Sequence, residues 1–266
     1  MGFAWAAGVT LPLHAALVIV LGVWTVYVGD RLLDARANLR SPAENTLRER
    51  HYFHWRHRRV LVPLASAAGA ATAILVLACI PFVARERDSV LAAASLAYFA
   101  RVHQGHLSPA RRSHPFLQGL ITKELLVGLL FALGCALPAL GSAFTADLPA
   151  RWALPGAVAF FAALAWLNCS AIDFWESEFP GRGRWLPGIA FLLSAIGFAV
   201  ALLLGSFAPR PALLLASGAL GAMFIALLHR SRARLSPLTL RAAADLVLLT
   251  PAIVILVAGP VAGSIR

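Results

Sequence analysis

Charge is scarce in this chain. Asp, Glu, Lys and Arg make up only 13% of its 266 residues, where a soluble globular protein carries about 25%. With 60% hydrophobic residues beside it, that deficit excludes a soluble globular domain and predicts a polytopic membrane protein. The apolar runs are continuous rather than alternating, which argues against a β-barrel. Cysteine is rare too. Cys79, Cys135 and Cys169 lie inside or at the end of apolar segments and share no CxxC spacing, so they read as small core residues with no disulfide. No Lys or Arg precedes Arg31, so the basic start of a secretory signal is missing.

Several stretches are long enough to cross a bilayer core, which needs about 20 apolar residues. The hydropathy pattern predicts an all-α transmembrane bundle of about eight spans, forming a single domain over residues 1–266. The spans are 9–29, 60–83, 89–103, 118–140, 152–171, 186–207, 211–228 and 243–263. The third is the weakest, because Arg101 interrupts it.

Basic residues are unevenly divided between the connections. The loops 30–59, 101–117, 172–185 and 229–242 hold 17 of the 23, whereas Arg85, Arg87, Arg151, Arg210 and Arg266 fall on the other side and Lys123 lies within a span. The positive-inside rule then places those four loops in the cytoplasm and both termini outside. The expected location is a cell inner membrane or its equivalent, crossed many times. The formal net charge of +11 is explained by this topology and by anionic headgroups, so nucleic acid is not an expected partner.

Acids cluster as well. Asp30, Asp34, Glu44 and Glu49 follow the first span, and Asp173, Glu176 and Glu178 follow the fifth, seven of the twelve acids in all. If helix continues beyond each apolar run, Asp30 and Asp34 share a face at i, i+4 and Asp173 and Glu176 at i, i+3. Two such carboxylate pairs form a hard-oxygen site suited to Mg²⁺, which takes one or two carboxylates, waters and substrate phosphates. Arginines nearby would hold the same phosphates. The competing reading is a charged helix end, with Arg31 and Arg36 pairing with the aspartates.

The stretch "VYVGDRLLD" resembles the first aspartate motif of the UbiA superfamily of intramembrane prenyltransferases, Asn-Asp-x-x-Asp-Arg-x-x-Asp. Asp30, Arg31 and Asp34 match its last three fixed places, while Val26 and Tyr27 stand where the family has Asn and Asp. The family's second acidic motif lies four helices later, where this chain has "AIDFWESE" with Asp173 as the counterpart and Glu176 or Glu178 as its partner. The tract "YFARVH…KELLVGLLFALGCALP" is similar to the family's middle, where a Tyr, here Tyr98, closes a helix before a Gly-rich one.

The resemblance implies Mg²⁺-dependent transfer of a polyprenyl group from its diphosphate to a lipid-soluble acceptor. Asp30, Asp34, Asp173 and Glu176 would be metal ligands, Asp30, Asp34 and Asp173 the catalytic acids, and Arg31 and Tyr98 substrate contacts. Membrane lipids complete the expected partners. The family's Arg-Pro-Leu stretch has no match in "ANLRSPAENTLRERHYFHWRH", which leaves the acceptor open. The alternative is a non-catalytic UbiA-fold protein that binds lipid or a partner. The family has nine spans, and its motif follows the second; here it follows the first, which predicts a missing first helix or a start upstream of "MGFAWAAG".

Other residues carry weaker signals. Lys123, near the cytoplasmic start of a span, is a candidate phosphate ligand or a snorkelling side chain, and Asn168 would line the site beside the second acidic cluster. Asp245 follows Arg241 by four and reads as a structural pair. His51, His54 and His57 are spaced by three, as are His103 and His106. A di-iron oxygenase would need adjacent or HxxxH histidines, so "LRERHYFHWRHRRV" reads instead as a basic interfacial helix with aromatic anchors. A transporter is disfavoured because no acid or base lies near the middle of a span.

Overall fold

The computed structural model describes residues 2–40, 49–104, 123–143, 148–176 and 185–263. Among them every regular element is helical: α1 Gly2–Ala6, α2 Leu13–Arg40, α3 Glu49–Arg56, α4 Arg58–Cys79, α5 Phe82–Gln104, α6 Lys123–Ala143, α7 Leu148–Glu176, α8 Leu186–Leu204, α9 Pro209–Arg230, a 3₁₀ turn Arg232–Arg234, α10 Pro237–Val247 and α11 Thr250–Gly263. Helix is what lipid demands, since only intra-segment hydrogen bonds satisfy the backbone there. Five helices are long and apolar enough to span a membrane: Leu13–Arg36, Arg58–Cys79, Trp152–Glu176, Leu186–Leu204 and Pro209–Arg230. The chain is a helical membrane protein.

Helix α5, which covers the expected span 89–103, begins with the charged run Arg85–Asp88. The expected span 118–140 begins outside the described residues, and its described part holds the apolar helix Glu124–Leu140. The expected span 243–263 is broken into α10 and α11. Pro251 is the cause: it has no N–H for the carbonyl of Val247, and its ring would collide with that oxygen. The hydroxyl of Thr250 donates to Val247 O instead, at 2.6 Å.

By its internal contacts the chain has two compact units, Pro12–Leu120 and Met1–Leu11 with Ile121–Arg266. In the first unit α2 and α4 run antiparallel, with small residues at their contact. Gly22 faces Thr72 and Thr25 faces Gly69. The hydroxyls of both threonines are turned back onto their own helices, Thr25 donating to Leu21 O and Thr72 to Ala68 O, each at 2.8 Å. The Thr25 hydroxyl also reaches Ala65 O of α4 at 3.5 Å, a longer contact across the helix interface.

The second unit is built around α9, which packs against α8, α7, α10, α11 and α1. Its buried residues, among them Leu214, Gly218, Ala222 and Ile225, cover a broad face, while Phe224 and Leu227 on the opposite side are exposed. Small residues again mark the contacts. Ala190, Ser194, Gly197 and Ala201 of α8 are buried, while its large residues Leu192, Ile196, Leu202 and Leu203 are exposed. Helix α6 approaches α7 so closely at Gly128 that a Cβ there would lie 2.7 Å from Ala162 O. The short α1 also belongs to this core: Phe3, Ala4 and Ala6 are buried, and Phe3 meets Phe161 edge-to-face at 5.6 Å.

Candidate functional site

Helix α2 continues past its apolar run to Arg40, so Asp30 and Asp34 do share a face. Arg31 spans the two. Its Nη1 lies 3.7 Å from Asp30 Oδ2 and 3.9 Å from Asp34 Oδ2, with all three side chains half-buried at 14–21% exposure. These are separations at the edge of ion pairing rather than tight bidentate bonds, and Arg31 Nε is buried without a hydrogen-bond partner.

Tyr27 also contacts the arginine. The Arg31 guanidinium sits over the Tyr27 ring at 5.2 Å, a cation–π contact. The same ring meets His54 edge-to-face at 5.8 Å. His54 is buried, and it brings α3 against α2.

The second acidic cluster closes α7 in the other unit. Glu176 is half-buried and lies 3.8 Å from Arg241 of α10. Arg241 also reaches Asp245 at 4.0 Å, the i, i+4 pair expected from sequence. Asp173 is exposed, one turn before Glu176. Asn168 is buried at 3% exposure, and its Oδ1 has no hydrogen-bond partner. An orphaned carbonyl oxygen on the helix that carries Asp173 and Glu176 is a further oxygen donor.

His229, which the sequence reading did not single out, anchors this cluster. It is buried at the end of α9. Trp175, between Asp173 and Glu176, donates its indole N–H to His229 Nδ1 at 3.3 Å, and Phe174 stacks on the imidazole at 5.4 Å. A lone histidine ending an apolar span, next to Arg230, was the available signal. Its partner lies 54 positions earlier, so local spacing does not reveal the pair.

The structure brings Asp30, Arg31 and Asp34 together in one unit, and Asn168, Asp173 and Glu176 along one helix in the other. The donors are hard oxygens and fit Mg²⁺ in kind, since that ion uses few carboxylates and completes its shell with water and phosphate. The side chains of Tyr98 and Lys123, with Glu44 and Glu178, lie outside the described residues. Compared with known proteins, the chain matches no family model, no curated protein and no solved structure.

Proposed function

We propose that the protein is a UbiA-like, eight-span membrane prenyltransferase that takes a polyprenyl diphosphate as donor and a lipid-soluble acceptor, with Mg²⁺ as cofactor. One observation carries the reading. The Asp30-Arg31-x-x-Asp34 motif lies on continuous helix at the end of an apolar span, and its two carboxylates and its guanidinium meet in a half-buried cluster. Withdrawing two acids and one base partly from water carries a cost that a merely structural helix end does not require.

In this reading Asp30 with Asp34, and Asp173 with Glu176, are the Mg²⁺ ligands of their own clusters, and the metal would stabilise a diphosphate leaving group. Arg31, already poised by Tyr27, contacts the diphosphate, and Lys123 and Tyr98 complete the polar contacts. Asn168 Oδ1 supplies a neutral oxygen beside the second cluster. The aliphatic tail lies among the spans, and the acidic and basic loops face the cytoplasm.

The second reading, a non-catalytic UbiA-fold protein that binds lipid or a partner, is favoured by Arg31 itself: an arginine between two aspartates neutralises charge that a metal would otherwise use. Calorimetry with an allylic diphosphate, with and without Mg²⁺, distinguishes the two. Transferase function requires Mg²⁺-dependent binding that falls steeply in Asp34→Asn. Binding indifferent to Mg²⁺ and to that substitution supports the non-catalytic reading.

A further inference from the structure

The junction of α3 and α4 presents a second surface, made of residues the proposed chemistry does not use. Residues 49–59 contain four arginines and one glutamate. Arg56, Arg58 and Arg59 are all exposed, and Phe53 beside them is 55% exposed. The opposite side of α3 is fixed, because His54 is buried against Tyr27.

The exposed side is ordered by its own contacts. The guanidinium of Arg58 lies 4.5 Å over the Trp55 ring and donates to Trp55 O at 2.8 Å. His57 packs on Phe53 at 4.5 Å between ring centroids, and its Nδ1 is 2.9 Å from Phe53 O. Phe53, Arg56 and His57 fall at i, i+3 and i+4, so they share one helix face. The span Arg58–Cys79 starts at this point.

We propose that this surface docks anionic phospholipid headgroups. A phosphate is the complement of three exposed guanidinium groups, and an exposed Phe together with a half-exposed Trp is what the interfacial layer accepts. The position is the decisive element. Arginines at the first turn of a spanning helix stand at headgroup depth, where a soluble polyanion would compete with the membrane itself. Charge near an anionic leaflet favours binding by roughly fivefold for each arginine, the factor equivalent to about 1 kcal/mol. Arg58 stacked on Trp55 keeps its charge at that depth instead of sweeping through solvent. The inference does not depend on the transferase reading, because it uses none of its residues.

The test uses the full chain in detergent, given equal amounts of phosphatidylglycerol and phosphatidylcholine, with lipid adducts counted by native mass spectrometry. The parent should retain phosphatidylglycerol preferentially. Arg56→Gln/Arg58→Gln/Arg59→Gln together should abolish that preference, and Arg59→Gln alone, which leaves the Trp55 stack intact, should lower it about fivefold. Arg85→Gln/Arg87→Gln, a charge change outside the surface, should leave it intact. Equal retention of the two lipids by the parent would overturn the proposal, as would an unchanged preference in the single variant. Displacement of the anionic lipid by inorganic phosphate at matched concentration would mean a free-anion site and would also overturn it.

Discussion

The indole N–H of Trp175 donates to Nδ1 of His229 at 3.3 Å, joining the end of α7 to the end of α9. His229 accepts at Nδ1, so in the neutral ring the proton is on Nε2. The bond fixes the helix end that carries Asp173 and Glu176.

Trp175→Phe keeps an aromatic ring but removes the donor, leaving a buried imidazole nitrogen unpaired. The expected loss is about 1–3 kcal/mol, read as a lower melting temperature in detergent. Phe174→Leu, which removes only a stacked ring, should cost about 0.5–1.5 kcal/mol beyond its lost area.

Glycine substitutions should split by sign. A Cβ at Gly197 would lie 2.7 Å from two ring carbons of Phe160 and 2.8 Å from Ala219 Cβ, and one at Gly218 would lie 2.8 Å from both Phe160 and Phe161. Phe160 is wedged between α8 and α9, so Gly197→Ala and Gly218→Ala should destabilise by about 1–3 kcal/mol through overpacking. Gly156 and Gly188 have nothing within 4 Å of such a Cβ. Alanine at either should instead stabilise by up to about 1 kcal/mol through helix propensity. Thermal melting of the four variants checks the reversal.

Arg31→Met separates the two readings of the acidic cluster. Without the guanidinium, Asp30 and Asp34 lose the positive charge that lies within 4 Å of both. If they are metal ligands, Mg²⁺ affinity without diphosphate should rise while diphosphate affinity falls. If they are only a charged helix end, the variant should lose stability and gain no Mg²⁺ affinity. Calorimetry with Mg²⁺ alone and then with inorganic diphosphate gives both values.

Thr250→Val should weaken the join between α10 and α11. The hydroxyl that serves Val247 O is replaced by a methyl of the same shape, at a cost of about 1–3 kcal/mol for the unsatisfied carbonyl. Faster hydrogen exchange at Leu248 and Leu249 would report it.

The division of basic residues, 17 in four connections against five on the opposite side, predicts a sidedness that labelling can test. After the native cysteines are replaced, Asn45→Cys and Ser206→Cys should be labelled from opposite sides of the membrane. Labelling from one side would remove the eight-span arrangement.

The amino-acid sequence by itself determined that the chain is helical and lies in a membrane, and that acids end its spans. Lipid permits few spanning structures, and charged residues are expelled to their ends. The continuation of α2 and α7 through Asp34 and Glu176 was legible as helical spacing, and the Arg241–Asp245 pair as an i, i+4 step. The break at Pro251 was also local chemistry, masked by uniform hydropathy on both sides. Only the tertiary structure decided which faces turn inward. In a bilayer both faces of a helix are apolar, so hydropathy does not orient them, and it is small residues such as Gly128 and Gly197 that permit close approach. Tertiary structure alone also placed His229 on Trp175 and Tyr27 under Arg31 and beside His54, because such contacts depend on how helices cross and not on spacing along any one of them.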